Sequence, residues 1–134
     1  MKIVVGITGA SGIIYAQRLL DCLDARAHEV HLLISNYVQP VTAQEFPQGL
    51  KVPEGVQQHS IKSMNAPFAS GSNAADAMAI IPCSMGTMGR IAHGLGEDVL
   101  LRTAGVMLKE KKRLVLVPRE TPLNLVQIRN MELL

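Results

Sequence analysis

The first dozen residues constrain the fold more than any other stretch. Lys2-Ile3-Val4-Val5-Gly6-Ile7 is a short, nearly continuous apolar run that stops at Thr8-Gly9. Apolar residues at helical spacing begin at Ile13. A buried strand therefore feeds a glycine turn that opens a helix. Such a turn leaves the first backbone N–H groups of the helix unpaired, at the positive end of the helix dipole. It is an anion site by construction, and Ser11 adds a hydroxyl. A phosphate-bearing ligand at this turn is the expectation. A plain tight strand-to-helix junction is the alternative when the motif stands alone.

A nicotinamide dinucleotide is disfavoured. Its fingerprint is G-x-G-x-x-G, with an acidic residue about twenty positions on at the end of the second strand. Ile7 stands where the first glycine belongs, and the second apolar run, Val30-His31-Leu32-Leu33-Ile34, ends in Ser35. A neutral hydroxyl occupies the place of the carboxylate that would hold a ribose.

The rest of the chain alternates between the two periods. A helix is expected over 12–26, with Ile13, Ala16, Leu20 and Leu23 on one stripe, and a short one over 38–45. Residues 46–65 carry turn signals and little pattern, and His59 there reads as a solvated loop histidine. The small, hydroxyl-rich Ala66-Pro67-Phe68-Ala69-Ser70-Gly71-Ser72 leads toward a short helix near 74–77. Met78-Ala79-Ile80-Ile81-Pro82 is a third strand, running into Cys83-Ser84-Met85-Gly86-Thr87 and a helix over 87–93. This repeats the opening design of strand, small hydroxylated turn and helix start.

The longest helix is expected over 97–113, with Leu100, Leu101, Ala104, Met107 and Leu108 buried and the Lys109-to-Arg113 cluster at its negative end. Leu114–Pro118 is the fourth strand. Thr121 reads as the N-cap and Pro122 as the first residue of a last helix over 122–134. Continuous apolar strands alternating with helices imply one α/β domain over 1–134, a Rossmann-like (flavodoxin-like) three-layer sandwich with a parallel sheet.

Composition removes several classes. A net charge of +2 and only four aromatics (Tyr15, Tyr37, Phe46, Phe68) give no case for nucleic acid. No apolar run reaches the roughly 18 residues of a membrane span. Cys22 and Cys83 have no metal-type or disulfide spacing, so both read as inert, buried thiols in a reducing cytoplasm.

In order along nearly the whole chain, G-I-T-G-A-S-G, the Ser35 strand end, A-S-G-S, I-I-P-C-S-M-G-T, L-K-E-K-K-R-L-V-L-V and P-R-E-T-P-L closely resemble the UbiX family of flavin prenyltransferases, formerly called 3-octaprenyl-4-hydroxybenzoate carboxy-lyases. Residues 46–65 match least. The resemblance implies transfer of a dimethylallyl group from dimethylallyl monophosphate to N5 and C6 of reduced FMN. Prenylated FMN is then delivered to UbiD-type decarboxylases in ubiquinone or aromatic acid metabolism. It also implies no metal, a homododecamer, and active sites built between subunits.

Residue by residue, the resemblance carries flavin binding to Gly9, Ala10, Ser11, Ser35, Ser84, Met85, Gly86, Thr87 and Arg119. It carries polar roles around the reacting centre to Ser11, Glu45, Arg102, Lys109 and Glu120. A departing phosphate suits Arg102 and Lys109, and a developing allylic cation suits Glu45 or Glu120. From spacing alone, Lys109 reads equally as a helix C-terminal cation, Arg102 as an i, i+4 partner of Asp98, and Glu120 as a helix N-terminal acid.

Two departures stand out. The family normally continues past the position of Leu134, with a P-P-x-P-x-F-Y-like segment and a last helix that supply a tyrosine and a basic residue for the substrate phosphate. Met64 stands where some members carry an aromatic. Two alternatives remain: a flavin-dependent cysteine decarboxylase of the same fold, and a flavin-binding protein without catalysis.

Overall fold

The computed structural model describes all 134 residues. Five strands form one sheet: β1 (Lys2–Ile7), β2 (Glu29–Ile34), β3 (Gln57–His59), β4 (Ala77–Cys83) and β5 (Arg113–Pro118). Every pairing is parallel, in the order β3-β2-β1-β4-β5. The five helices are α1 (Ile13–Cys22), α2 (Val38–Glu45), α3 (Met85–Ala92), α4 (Val99–Lys109) and α5 (Leu125–Glu132). This is the three-layer α/β sandwich the apolar runs require.

The sheet divides the core by side-chain parity. Val5, Ile7 and Leu32 point to the side of Ile13, Ala16, Leu20 and Val38, on α1 and α2. Val4, Leu33, Met78 and Ile80 point to the side of Met88, Leu100, Ala104 and Met107, on α3 and α4. Adjacent strand residues serve opposite faces, which is why these strands read as unbroken apolar runs. The chain builds outward from β1 to β3, then crosses to β4. The strand order thus reverses between β1 and β4, where ligands of open α/β sheets sit at the strands' carboxyl ends.

Several boundaries differ from the expected ones. Helix α1 stops at Cys22 because Leu23 turns extended, with ψ 120. The next residues form a turn in which the Arg26 N–H donates to the Asp24 carboxylate at 2.9 Å. Residues 71–73 form the single 3-10 turn of the A-S-G-S region, and the helix expected over 74–77 is absent because β4 begins at Ala77. Helix α4 is shorter than 97–113, since Asp98 caps it and Glu110 ends it. Leu108 is exposed, while Val99, Thr103 and Val106 join the buried side.

The last helix begins at Asn124, not Thr121. The Asn124 side chain accepts the Gln127 N–H and the Gln127 side chain accepts the Asn124 N–H, both at 2.9 Å, a reciprocal capping box. Cys83 is buried as expected, and burial pushes its thiol up to about 12. Cys22 is exposed, contrary to expectation. No helix is long and apolar enough to cross a membrane.

Candidate active site at the β1 and β4 strand ends

A threonine joins the two strand tips. The buried Thr8 hydroxyl donates to the Pro82 carbonyl at 2.8 Å and accepts the Ser84 N–H at 2.7 Å. Thr8 N–H also donates to Pro82 O at 3.2 Å. Thr8 lies inside the G-I-T-G-A-S-G motif, which by itself assigns it no role. A polar residue directly after an apolar strand was the available signal.

The second turn is self-capped. Ser84 Oγ accepts the Thr87 N–H at 3.2 Å and donates to Thr87 Oγ1 at 3.0 Å, starting α3. Between the two turns lies a cavity of about 280 Å³. Thr8, Gly9, Ser35, Ser84 and Thr87 supply its small and hydroxylated walls, and Ile61, Leu100 and Leu101 its apolar ones. Asn36, Tyr37, Lys62, Arg90 and Asp98 complete the lining. These last five escaped the motif reading because they come from loops and helix ends that share no pattern.

Two residues of this cavity are tightly constrained. The Ser35 hydroxyl is buried and has no hydrogen-bond partner, a state that costs free energy unless something fills it. Gly9 has no room for a side chain, because a Cβ there would meet Tyr37 Cβ at 2.5 Å and Tyr37 O at 2.8 Å.

The helix α1 N-terminus differs from expectation. Gly12 turns the chain with φ 107, in the left-handed region that suits glycine. Its N–H is already engaged, donating to Glu45 Oε2 at 2.8 Å. The Ser11 hydroxyl, the Gly12 N–H and the Ile13 N–H together hold the Glu45 carboxyl below its ordinary value. A carboxylate from the end of α2 thus fills the anion position of the first turn. Arg119 lies within electrostatic reach and adds a smaller pull in the same direction.

The remaining sequence-selected residues are placed elsewhere. Met85 is buried beneath the second turn and Gly86 is exposed on it. Arg102 does not pair with Asp98, whose carboxylate accepts the Leu101 N–H at 2.8 Å; its Nε donates to Ala69 O at 3.2 Å. Lys109 Nζ lies 3.1 Å from Glu110 Oε1. Arg102 and Lys109 share a hollow of about 160 Å³ along α4, distinct from the cavity at the strand ends. Arg102 also borders a hollow of about 430 Å³ with Met64, Ala69 and Ser70. Glu120 accepts only its neighbour's N–H, from Thr121 at 3.0 Å.

His59 is not a solvated loop residue. Its Nε2 lies 2.9 Å from Nδ1 of the fully buried His31, whose Nε2 lies 3.0 Å from Glu29 Oε1. Both imidazoles pack on Phe68. Because Glu29 can only accept when ionised, neutral His31 carries its proton on Nε2 and accepts at Nδ1 from His59. Burial keeps His31 below its ordinary value, against the opposing hydrogen bond to Glu29.

A parallel α/β sandwich with a hydroxyl-lined crevice where its strand order reverses defines a nucleotide- or flavin-binding class, and the family model named Flavoprotein matches residues 1–132. Flavin prenyltransferase UbiX of Thermoplasma acidophilum is 41% identical over 133 residues, covering 98% of this chain and 73% of that protein. The crystal structure of AnUbiX in complex with FMN and dimethylallyl pyrophosphate superposes with a TM-score of 0.87 at 40% identity, covering 98% of this chain and 71% of that one. A dodecameric FMN-dependent UbiX-like decarboxylase from Escherichia coli O157:H7 gives 0.89 at 35%, covering 99% and 74%. The chain belongs to the UbiX flavin prenyltransferase family.

Proposed function

We propose that this chain binds FMN at the β1 and β4 strand ends and transfers a dimethylallyl group from dimethylallyl monophosphate to the reduced flavin. The observation that carries the reading is the buried, unpartnered Ser35 hydroxyl in a cavity that Gly9, Ser84 and Thr87 also line. At about 280 Å³ the cavity falls just below the usual range of ligand pockets, roughly 300–1,000 Å³. It suits part of a flavin mononucleotide, and Ala10, Ser11, Gly86 and Arg119, which lie outside its lining, are proposed to meet the remainder. Reduced FMN supplies the nucleophilic N5 and C6 positions that accept the prenyl group.

The chain's own residues supply the electrostatics. Arg102 and Lys109 offer two cations on one stripe of α4, suited to a dianionic phosphate as it leaves. The ionised Glu45, held by Ser11 and Gly12, offers negative charge to a developing allylic cation. Glu120 offers a second carboxylate, and either acid or the released phosphate can accept the proton that flavin C6 loses. Arg102 and Lys109 share no cavity with Ser11 and Glu45 in one chain. An oligomer that brings the α4 face of one subunit to the strand ends of another would unite them, and the Escherichia coli relative is dodecameric. Delivery of prenylated FMN to a UbiD-type decarboxylase, in the cytoplasm, completes the proposal.

The cysteine decarboxylase alternative needs a catalytic histidine, and His59 is committed to His31 and Phe68. Anaerobic incubation with reduced FMN and dimethylallyl monophosphate, followed by mass spectrometry of the flavin, tests the reading. A flavin heavier by one prenyl unit supports it. An unaltered flavin with CO2 released from a cysteine substrate replaces it with the alternative.

A further inference from the structure

The first turn cannot be the place for a ligand phosphate while Glu45 occupies it. The opposite side of the cavity has the complementary features. Ser35 carries its orphaned hydroxyl there, immediately before α2. Helix α2 has eight residues, no side-chain cap at Tyr37 and no acid in its first turn. Its first N–H groups therefore have no side-chain acceptor, unlike those of α3, α4 and α5, each capped by a side-chain oxygen.

Two cations line the cavity, and they differ in freedom. Arg90 donates from Nε to Gly86 O at 3.2 Å and faces Glu97 at 3.8 Å. Lys62 is exposed and has no carboxylate within 4.0 Å. The one acid in the lining, Asp98, spends its carboxylate on the α4 N-terminus. The backbone just ahead of Lys62 is tied to the core. His59 is bonded to His31 in β2, and Ile61 O accepts the Val99 N–H of α4 at 3.0 Å. The Lys62 N–H donates to Ser60 Oγ at 3.3 Å, while its side-chain ammonium makes no hydrogen bond or ion pair.

Resting on the flavin reading above, we propose that Lys62 is the residue that recognises the phosphate end of the flavin, sharing the anion with Ser35 and the uncapped start of α2. Lysine suits this role as a mobile point charge for a phosphate dianion. The consequence is selectivity for FMN over riboflavin, which has the same ring and ribityl chain but no phosphate.

Titration of the apoprotein with FMN and with riboflavin, read by quenching of flavin fluorescence, tests this. Wild type binds FMN more tightly than riboflavin. Lys62→Gln weakens FMN by about tenfold and riboflavin by less than about twofold, and Lys62→Arg keeps FMN within about threefold of wild type. An equal loss for both flavins, or FMN affinity unchanged in Lys62→Gln, overturns the role of Lys62 and leaves the flavin site standing. A wild type that binds neither flavin overturns both.

Discussion

The Glu45 carboxylate accepts the Gly12 N–H at 2.8 Å, so the end of α2 closes the start of α1. The contact spans 33 residues of sequence and puts a negative charge where the helix dipole is positive. Glu45→Gln keeps the shape and removes the charge. It is expected to lower stability by roughly 0.3–1 kcal/mol at neutral pH, a fall in Tm of about 1–4 °C. Because the folded carboxyl lies below its ordinary value of 4.5, this contribution is present above that value. It disappears as pH falls through the folded value. Thermal melts of both proteins over a series of pH values from 7 downward check it: the difference shrinks as pH falls through the folded value.

Gly9→Ala is expected to destabilise the chain by roughly 1–3 kcal/mol, because the new methyl meets the backbone and Cβ of Tyr37 at 2.5–3.0 Å. Both residues line the cavity, so flavin affinity should fall with stability. Urea melts combined with a flavin titration check both effects.

His31 gives the fold an acid-sensitive joint. Its folded value lies below 6.5 because of burial, so the unfolded chain takes up the proton first as pH falls. Stability from this residue is complete above pH 6.5 and declines as pH drops toward the folded value, by at most about 1.4 kcal/mol per pH unit. Urea unfolding at a series of pH values should show this slope in wild type. His31→Gln should lack it.

The thiols should differ sharply. Cys22 is exposed, whereas Cys83 is buried with its thiol pushed up to about 12. A thiol reagent at pH 8 is expected to modify one cysteine in the native protein and the second only after denaturation, with peptide mapping assigning the first to Cys22.

The sequence made the central strands legible because a parallel strand covered on both faces has no polar positions to interrupt it, as in Val4-Val5 and Leu32-Leu33. The limits of α2 were legible too. Strand β3 was not: Gln57-Gln58-His59 is a polar edge of three residues, too short to show a period. Helix ends were misread where a local bond decided them, as when Asn124 rather than Thr121 found a reciprocal partner in Gln127. Ser35 could be singled out as a hydroxyl ending an apolar strand. The Glu45 bond to Gly12 and the His31 bond to His59 could not, since each joins residues far apart in sequence.

The claim on which the account turns is that the Ser35 hydroxyl faces a bound, electron-rich flavin. Ser35→Asp puts a carboxylate there, and Ser35→Asn is the neutral control of matching size. The account predicts that FMN affinity, measured by fluorescence titration of the folded variant, falls by at least about tenfold relative to wild type. An affinity equal to that of wild type would contradict it and remove the strand-end cavity as the flavin site.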